Sequence, residues 1–384
     1  NVTKTIYVLD GASLRITGTP DAAMDGGGQV QIFLVSNGQL YLKNLEIING
    51  NRSEGGAIFA GSGSDLFVEG VSFSSNTAQS MGGALYIRAS NVTLVSTAFY
   101  GNIAVYGGAV FVLNSTMVGS RNVSFHGNSA GYGGAMLVIN SFVIGSGNTT
   151  FISNNATGNG GALSISRGSY LGWNVQPEFT WTSFDSETLA GWSGGAIYIE
   201  DSKISWSGSM LLKHNSARYG GALYLANSVG VEAKGPTTFD SNNALYDGGA
   251  IGAADDTGYD HSWLILNGST NFTGNTCGGN GGAVDLSVIF IYFDVYGNIV
   301  FSSNSAASSG GALYAYKKSS YYDSSSGFYE CRFDGNSASS RGGAIHSIGG
   351  NDFVSGTTFT NNVANVGGAL QISGTIGLLN CSFV

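Results

Sequence analysis

Charge is scarce in this chain. Lys and Arg number 15 and Asp and Glu 24 among 384 residues, so charged side chains make up only 10%. That excludes a disordered polyelectrolyte, which stays unfolded by joining high charge to few apolar groups. A net charge of −9 disfavours nucleic acid, because a phosphate backbone is held by clustered Lys and Arg. Proline is rarer still, at 3. Apolar residues never run together for the roughly 18 positions a membrane-spanning helix needs. The 4 histidines lack metal-site spacing, and no nucleophile elbow, phosphate loop or dinucleotide fingerprint stands in a meaningful context. The densest acidic stretch, Asp255, Asp256, Asp260 and His261, reads as a solvated loop. The sequence therefore predicts no catalytic residue, no metal and no cofactor, and a protein that is not an enzyme.

Glycine, by contrast, is abundant at 61, and much of it is periodic. Twelve Gly-Gly-Ala-aliphatic units begin at Gly55, Gly82, Gly107, Gly133, Gly160, Gly194, Gly220, Gly248, Gly281, Gly310, Gly342 and Gly367, spaced 25 to 34 residues apart. Eleven are preceded by Phe-x-x-Asn, with Leu212 replacing one Phe and Glu187 one Asn. Two residues past the Asn stands Ala in nine units, with Leu189 and Cys277 in the others.

After each Gly-Gly-Ala the first and third positions are aliphatic or small and the second is mixed, the period of a strand with one buried face. Strands of this length, recurring with Gly-rich turns, cannot bury their apolar face alone and predict stacked parallel coils. The fold class is all-β, a right-handed parallel β-helix (β-solenoid) of about 13 rungs, on the order of 60 Å long at the usual strand spacing. Residues 1–44 read as degenerate rungs or a cap and 45–384 as the repeat solenoid. The last phrase, Asn380-Cys-Ser-Phe383, opens a further unit, so the array is expected to continue past Val384. Within the repeat, Phe is expected to stack inside and Gly to supply turn geometry. Asn76, Asn102, Asn128, Asn154, Asn215, Asn242, Asn275, Asn304, Asn336 and Asn362 are expected to take the left-handed turn position and hydrogen-bond rung to rung as a ladder.

The pairing of GGA[ILVM] with FxxN resembles the repeats of the chlamydial polymorphic outer membrane proteins, over roughly residues 45–384; similar repeats occur in surface proteins of algae and other microbial eukaryotes. The resemblance implies β-helical passengers of autotransporter-like surface adhesins. No C-terminal barrel of the bacterial kind is found in this sequence. The resemblance carries the scaffold more firmly than the adhesin role, since the matching residues are structural.

Ten Asn-x-Ser/Thr sequons stand at Asn1, Asn51, Asn91, Asn114, Asn122, Asn148, Asn155, Asn267, Asn271 and Asn380. None of the ladder Asn residues lies in one. Asn122, Asn148 and Asn380 each fall three residues before a repeat Phe and so should point outward. N-linked glycans and a secreted, extracellular or cell-surface location follow as expectations. Cys331 and Cys381 occupy an inward column two rungs apart, beyond disulfide reach, and Cys277 takes an Ala place.

Two outer features are candidates for contact. The residue between the two aliphatics after Gly-Gly-Ala gives a stripe of Phe59, Tyr86, Phe111 and Leu137, with Tyr198 and Tyr224 further on, expected on the outer wall. Insertions near 166–182, 253–263 and 315–330 bring Tyr170, Trp173, Trp181, Trp263, Tyr321 and Tyr322 as loops on one edge. The leading expectation is a structural shaft of a cell-surface fibre or filament, self-associating end to end or side by side. The alternative is an adhesin gripping a carbohydrate or protein ligand, and the third a carbohydrate-active enzyme.

Overall fold

The computed structural model describes residues 1–19, 21–173, 177–180, 183–184, 192–254, 262–287, 291–295, 298–316 and 325–384. The chain divides into two compact units, Asn1–Ala190 and Gly191–Val384. Both are β-solenoid, all β and all parallel, with no helix among the described residues and about 13 turns between them.

In the first unit a coil starts with a short strand such as Leu85–Arg88, turns, and continues along Asn91–Tyr100. That long strand bends at Ser96, which has a left-handed φ of 48°, and so supplies two faces of the coil. Register repeats from rung to rung: Leu85 lies beside Ile58 and Val110, and Phe99 beside Phe73 and Phe125. Residues 1–44 coil too, since Ile6–Leu9 pairs with Phe33–Ser36 and Ser13–Thr17 with the start of Gln39–Ile48. In the second unit some coils are cut into shorter pieces, such as Leu223–Ala226, Gly230–Ala233, Thr237–Asp240 and Asn243–Ala244, and long strands return at Ile345–Ser355 and Leu370–Leu379.

The interior is built from columns. Phe73, Phe99, Phe125 and Phe151 stack with centroids 4.8–5.1 Å apart in the first unit. Phe239, Phe272, Phe301, Phe333 and Phe359 stack at 4.6–5.0 Å in the second, and Leu212 takes the Phe place beside Phe239. Each fully buried ring contributes about 1.5–3 kcal/mol by leaving water, and the stacking repeats that contribution every rung.

The turn chemistry differs from expectation in one respect. The left-handed residue is not the repeat Asn but the one before it: Ser75, Gly101, Gly127 and Ser153 have φ of 53–61°, as do Ser241, Gly274, Ser303 and Gly335 at 53–63°. Ser or Gly stands there in eight of the ten rungs, where a small or absent side chain eases positive φ, while His214 and Asn361 hold the same place at 55° and 54°. The Asn is thereby freed to hydrogen-bond. The paired glycines divide their work. Gly82 has φ of 61°, whereas Gly83 is needed for space, since a Cβ there would lie 2.1 Å from the Gly108 carbonyl of the next rung.

Described parts of two of the expected loops are strand. Tyr170–Trp173 continues the second face in register with Phe142–Gly145, and Ser262–Leu266 carries Trp263 beside Gly230. Trp173 points inward and is 4% exposed, filling the space beside Gly145. Insertion in a sequence does not say where the extra residues sit, and here strand resumes at Tyr170, after three intervening residues. Trp181, Tyr321, Tyr322, Asp255, Asp256, Asp260 and His261 lie outside the described residues.

Candidate functional site

The repeat Asn residues form two continuous ladders, one in each unit. In the first, the Nδ2 of Asn76, Asn102 and Asn128 donates to the Oδ1 of the Asn one rung on at 2.9–3.0 Å. The same Oδ1 also accepts the preceding Asn's backbone N–H at 3.0 Å, and the second Nδ2 hydrogen returns to a Phe carbonyl, as from Asn102 to Phe73. The second unit repeats this from Asn215 through Asn242, Asn275, Asn304 and Asn336 to Asn362. Asn76, Asn102, Asn128, Asn154, Asn215, Asn242, Asn275, Asn304 and Asn336 are all 0% exposed. An amide in this place satisfies two donors and a twice-used acceptor where water cannot reach, and leaving those groups unmet costs about 1–3 kcal/mol each. The ladder is scaffold.

A second ladder escaped the sequence reading. The backbone N–H groups of Ser64, Ser90, Ser115 and Ser141 donate to the Oγ of Ser90, Ser115, Ser141 and Ser169, one rung on, at 3.1–3.3 Å. Its signal was present, a Ser recurring just before the second strand, but the more prominent Asn phrase masks it.

The aromatic stripe is real in register but is not an outer surface. Phe59, Tyr86, Phe111 and Leu137 are rung neighbours, with centroids 5.2 Å apart for Phe59 and Tyr86 and 5.3 Å for Tyr86 and Phe111. Yet Tyr86 and Phe111 are 3% exposed and Leu137 5%, closed over by Met81, Leu113 and Ile139. The Gly-Gly turn lies against the outer side of the strand, so the residue before it, Met81, covers the stripe. Tyr198 and Tyr224 stack at 6.0 Å and are half-buried. Within the second unit the corresponding column carries Asp285, Tyr314 and His346. Burial pushes the Asp285 carboxyl up to about 8, against the hydrogen bond it accepts from Ser287 Oγ, and the Asp247 charge adds to the rise. Burial, with Arg341, lowers His346 below the usual imidazole range, and burial raises Tyr314.

Aromatic rings that do reach the outer wall are stacked on one another. Tyr41 and Phe67 lie 4.6 Å apart at 8°, Tyr106 and Tyr132 5.7 Å at 13°, and Phe142 and Tyr170 5.0 Å at 17°. Ring faces are used by the neighbouring rung, so edges meet solvent and no flat aromatic platform for a sugar ring is offered by these pairs. Exposed apolar side chains gather on the corner turns: Ile103, Val105 and Tyr106 are 51%, 44% and 36% exposed, and Leu245 and Tyr246 56% and 42%.

Of the sequon residues, Asn1, Asn91, Asn114, Asn122, Asn148, Asn267, Asn271 and Asn380 are exposed, and Asn51 and Asn155 half-buried. Cys277 and Cys331 are buried thiols, each pushed up to about 12 by that burial, and Cys381 is half-buried. Cys331 and Cys381 are separated by the rung carrying Thr357, whose Oγ1 accepts the Cys331 N–H and whose carbonyl accepts the Ser382 N–H. Among the described residues no three His, Cys, Asp or Glu side chains group as metal ligands, and no helix is long and apolar enough to cross a membrane.

The Chlamydia polymorphic membrane protein repeat matches three segments, residues 70–88, 298–316 and 330–348. Each holds one whole phrase, from Phe73, Phe301 or Phe333 through its Asn to the strand after Gly-Gly-Ala. These are polymorphic membrane protein-type repeats. The repeat's Phe, Asn, Ala and Gly therefore have their counterparts in the stacked columns, the ladder and the turns. No curated protein and no solved structure matches the chain.

Proposed function

We propose that this chain is an extracellular, N-glycosylated β-solenoid shaft, displayed at a cell surface in the manner of an autotransporter passenger and assembling into a fibre. The observation that carries this reading is where the asparagines go. Nine of the ten ladder Asn residues are buried and all ten are committed to the ladders, whereas eight of the ten sequon residues are exposed. Interior positions are taken up by the stacked Phe columns and the Asn ladders. Electron microscopy of native material tests the fibre: filaments are expected, and isolated monodisperse particles at native concentration would sink it.

An adhesin is the second reading, favoured by the exposed apolar turn Ile103, Val105 and Tyr106. Its partner would be a protein with an apolar face rather than a sugar, given the ring edges presented elsewhere. Replacing Ile103 and Val105 by Ser would then abolish cell binding while leaving thermal unfolding unchanged; binding that persists would remove this surface from consideration.

A further inference from the structure

A cleft of about 380 Å³ lies on the outer wall of the first unit. One side of it is a single column of rung neighbours, Ser13, Gln39, Asp65 and Asn91. The other side is the stacked pair Tyr41 and Phe67, with the Arg15 guanidinium 4.1 Å over the Tyr41 ring. All four residues of the first column are exposed. Asn91 is the last of them and begins the sequon Asn91-Val92-Thr93, with Thr93 also in the cleft wall.

We propose that this cleft is the bed of an N-linked glycan carried by Asn91. Asn91 Nδ2 donates to Asp65 Oδ1 at 3.1 Å. Attachment replaces only one of the two Nδ2 hydrogens, so the other keeps the Asp65 bond and aims the sugar. The donor is an oligosaccharide on a lipid pyrophosphate. The bond from Nδ2 to the anomeric carbon forms and the bond from that carbon to the pyrophosphate oxygen breaks. The lipid pyrophosphate leaves, and the displaced Nδ2 proton passes to a base.

The column also sets the direction in which the glycan lies. Toward earlier rungs it meets Asp65, Gln39 and Ser13, which accept from and donate to hydroxyl and acetamido groups, and then Arg15. Toward later rungs the same column reaches Thr116, then the stacked Phe142 and Tyr170, of which Phe142 is 43% exposed and offers no polar partner. The cleft's volume lies at the small end of the range for ligand sites.

This inference rests on the reading of the chain as a secreted glycoprotein, and its test separates the two. The protein is secreted from a eukaryotic host, its glycopeptides are mapped by mass spectrometry, and glycan release by a peptide amidase is timed on the folded and the unfolded chain. Asn91 is expected to be occupied, and released several-fold more slowly than the glycan at exposed Asn267 when the protein is folded, but equally fast when it is unfolded. Asp65→Ala, with unchanged thermal unfolding, is expected to remove the difference. Release from Asn91 as fast as from Asn267 in the folded protein, or an empty Asn91 beside other filled sequons, overturns the cleft and leaves the glycoprotein reading standing. All ten sequons empty overturns both.

Discussion

Asp285 holds the place after Gly-Gly-Ala-aliphatic in the second unit that Tyr86 and Phe111 hold in the first, and it is equally buried at 3% exposure. A carboxyl there holds its proton far above the ordinary value of 3.8, up to about 8, because the charged form would lack water. Between those two values the folded chain binds a proton that the unfolded chain has lost, so this group's stabilising contribution falls as pH rises through the window. Glu69, lowered by its hydrogen bond from Lys43, and Asp334, lowered by Thr360 and Asn361, act oppositely: what they contribute is lost as pH falls. The melting temperature of the second unit is therefore expected to drop between about pH 5 and 8, and Asp285→Asn to flatten that drop and raise stability at the alkaline end. A variant with an unchanged pH profile would show that Asp285 is not the group responsible.

Strands on the second face of the first unit show how a column compensates along its length. Gly119 and Gly145 are successive members of an inward column that ends on Trp173, and a void of about 20 Å³ remains between Gly119, Val123 and their neighbours. A Cβ on Gly119 would meet Val123 Cγ2 at 3.5 Å and the Ile144 carbonyl at 3.8 Å, ordinary contacts, and its φ is not left-handed. Gly119→Ala should thus stabilise by about 0.5–1 kcal/mol, through the unfolded state and the filled void. A Cβ on Gly145 would lie 2.1 Å from Trp173 Cδ1, so Gly145→Ala should destabilise by about 1–3 kcal/mol as the indole is displaced. Denaturant melts read both, and equal effects of one sign would contradict this account of the column. The register sets these glycines in one column; which of the two has room depends on a Trp beyond Gly145 in the sequence.

For the molecule as a whole, charge contributes little to cohesion. Lys43–Glu69, Lys213–Asp240, Lys234–Glu232 and Arg332–Asp334 are partly solvent-exposed pairs, weak and screened by salt. Stability comes from nearest-neighbour contacts between rungs, repeated, as in other solenoids. The melting temperature is expected to stay level or rise slightly from low salt to about 1 M, since screening also relieves the net charge of −9. A steep fall with salt would give the surface pairs a larger role than their exposure allows.

Much of this architecture was legible in the residues because a repeat whose coils stack in register turns a sequence column into a spatial one. Phe73 and Phe99, or Asn76 and Asn102, stand at equivalent places in the phrase and for that reason touch. The alternation along a single strand likewise separated inward from outward. What it could not say is whether an outward residue meets water. Tyr86 and Phe111 point away from the core and are nevertheless buried, because the Gly-Gly turn folds Met81 over them. The same limit hid the left-handed residue before each Asn, the room beside Gly119 and the cleft at Asn91. Those are set by how turns and neighbouring rungs approach a strand from outside, and that approach is a matter of three-dimensional packing rather than of any strand's own period.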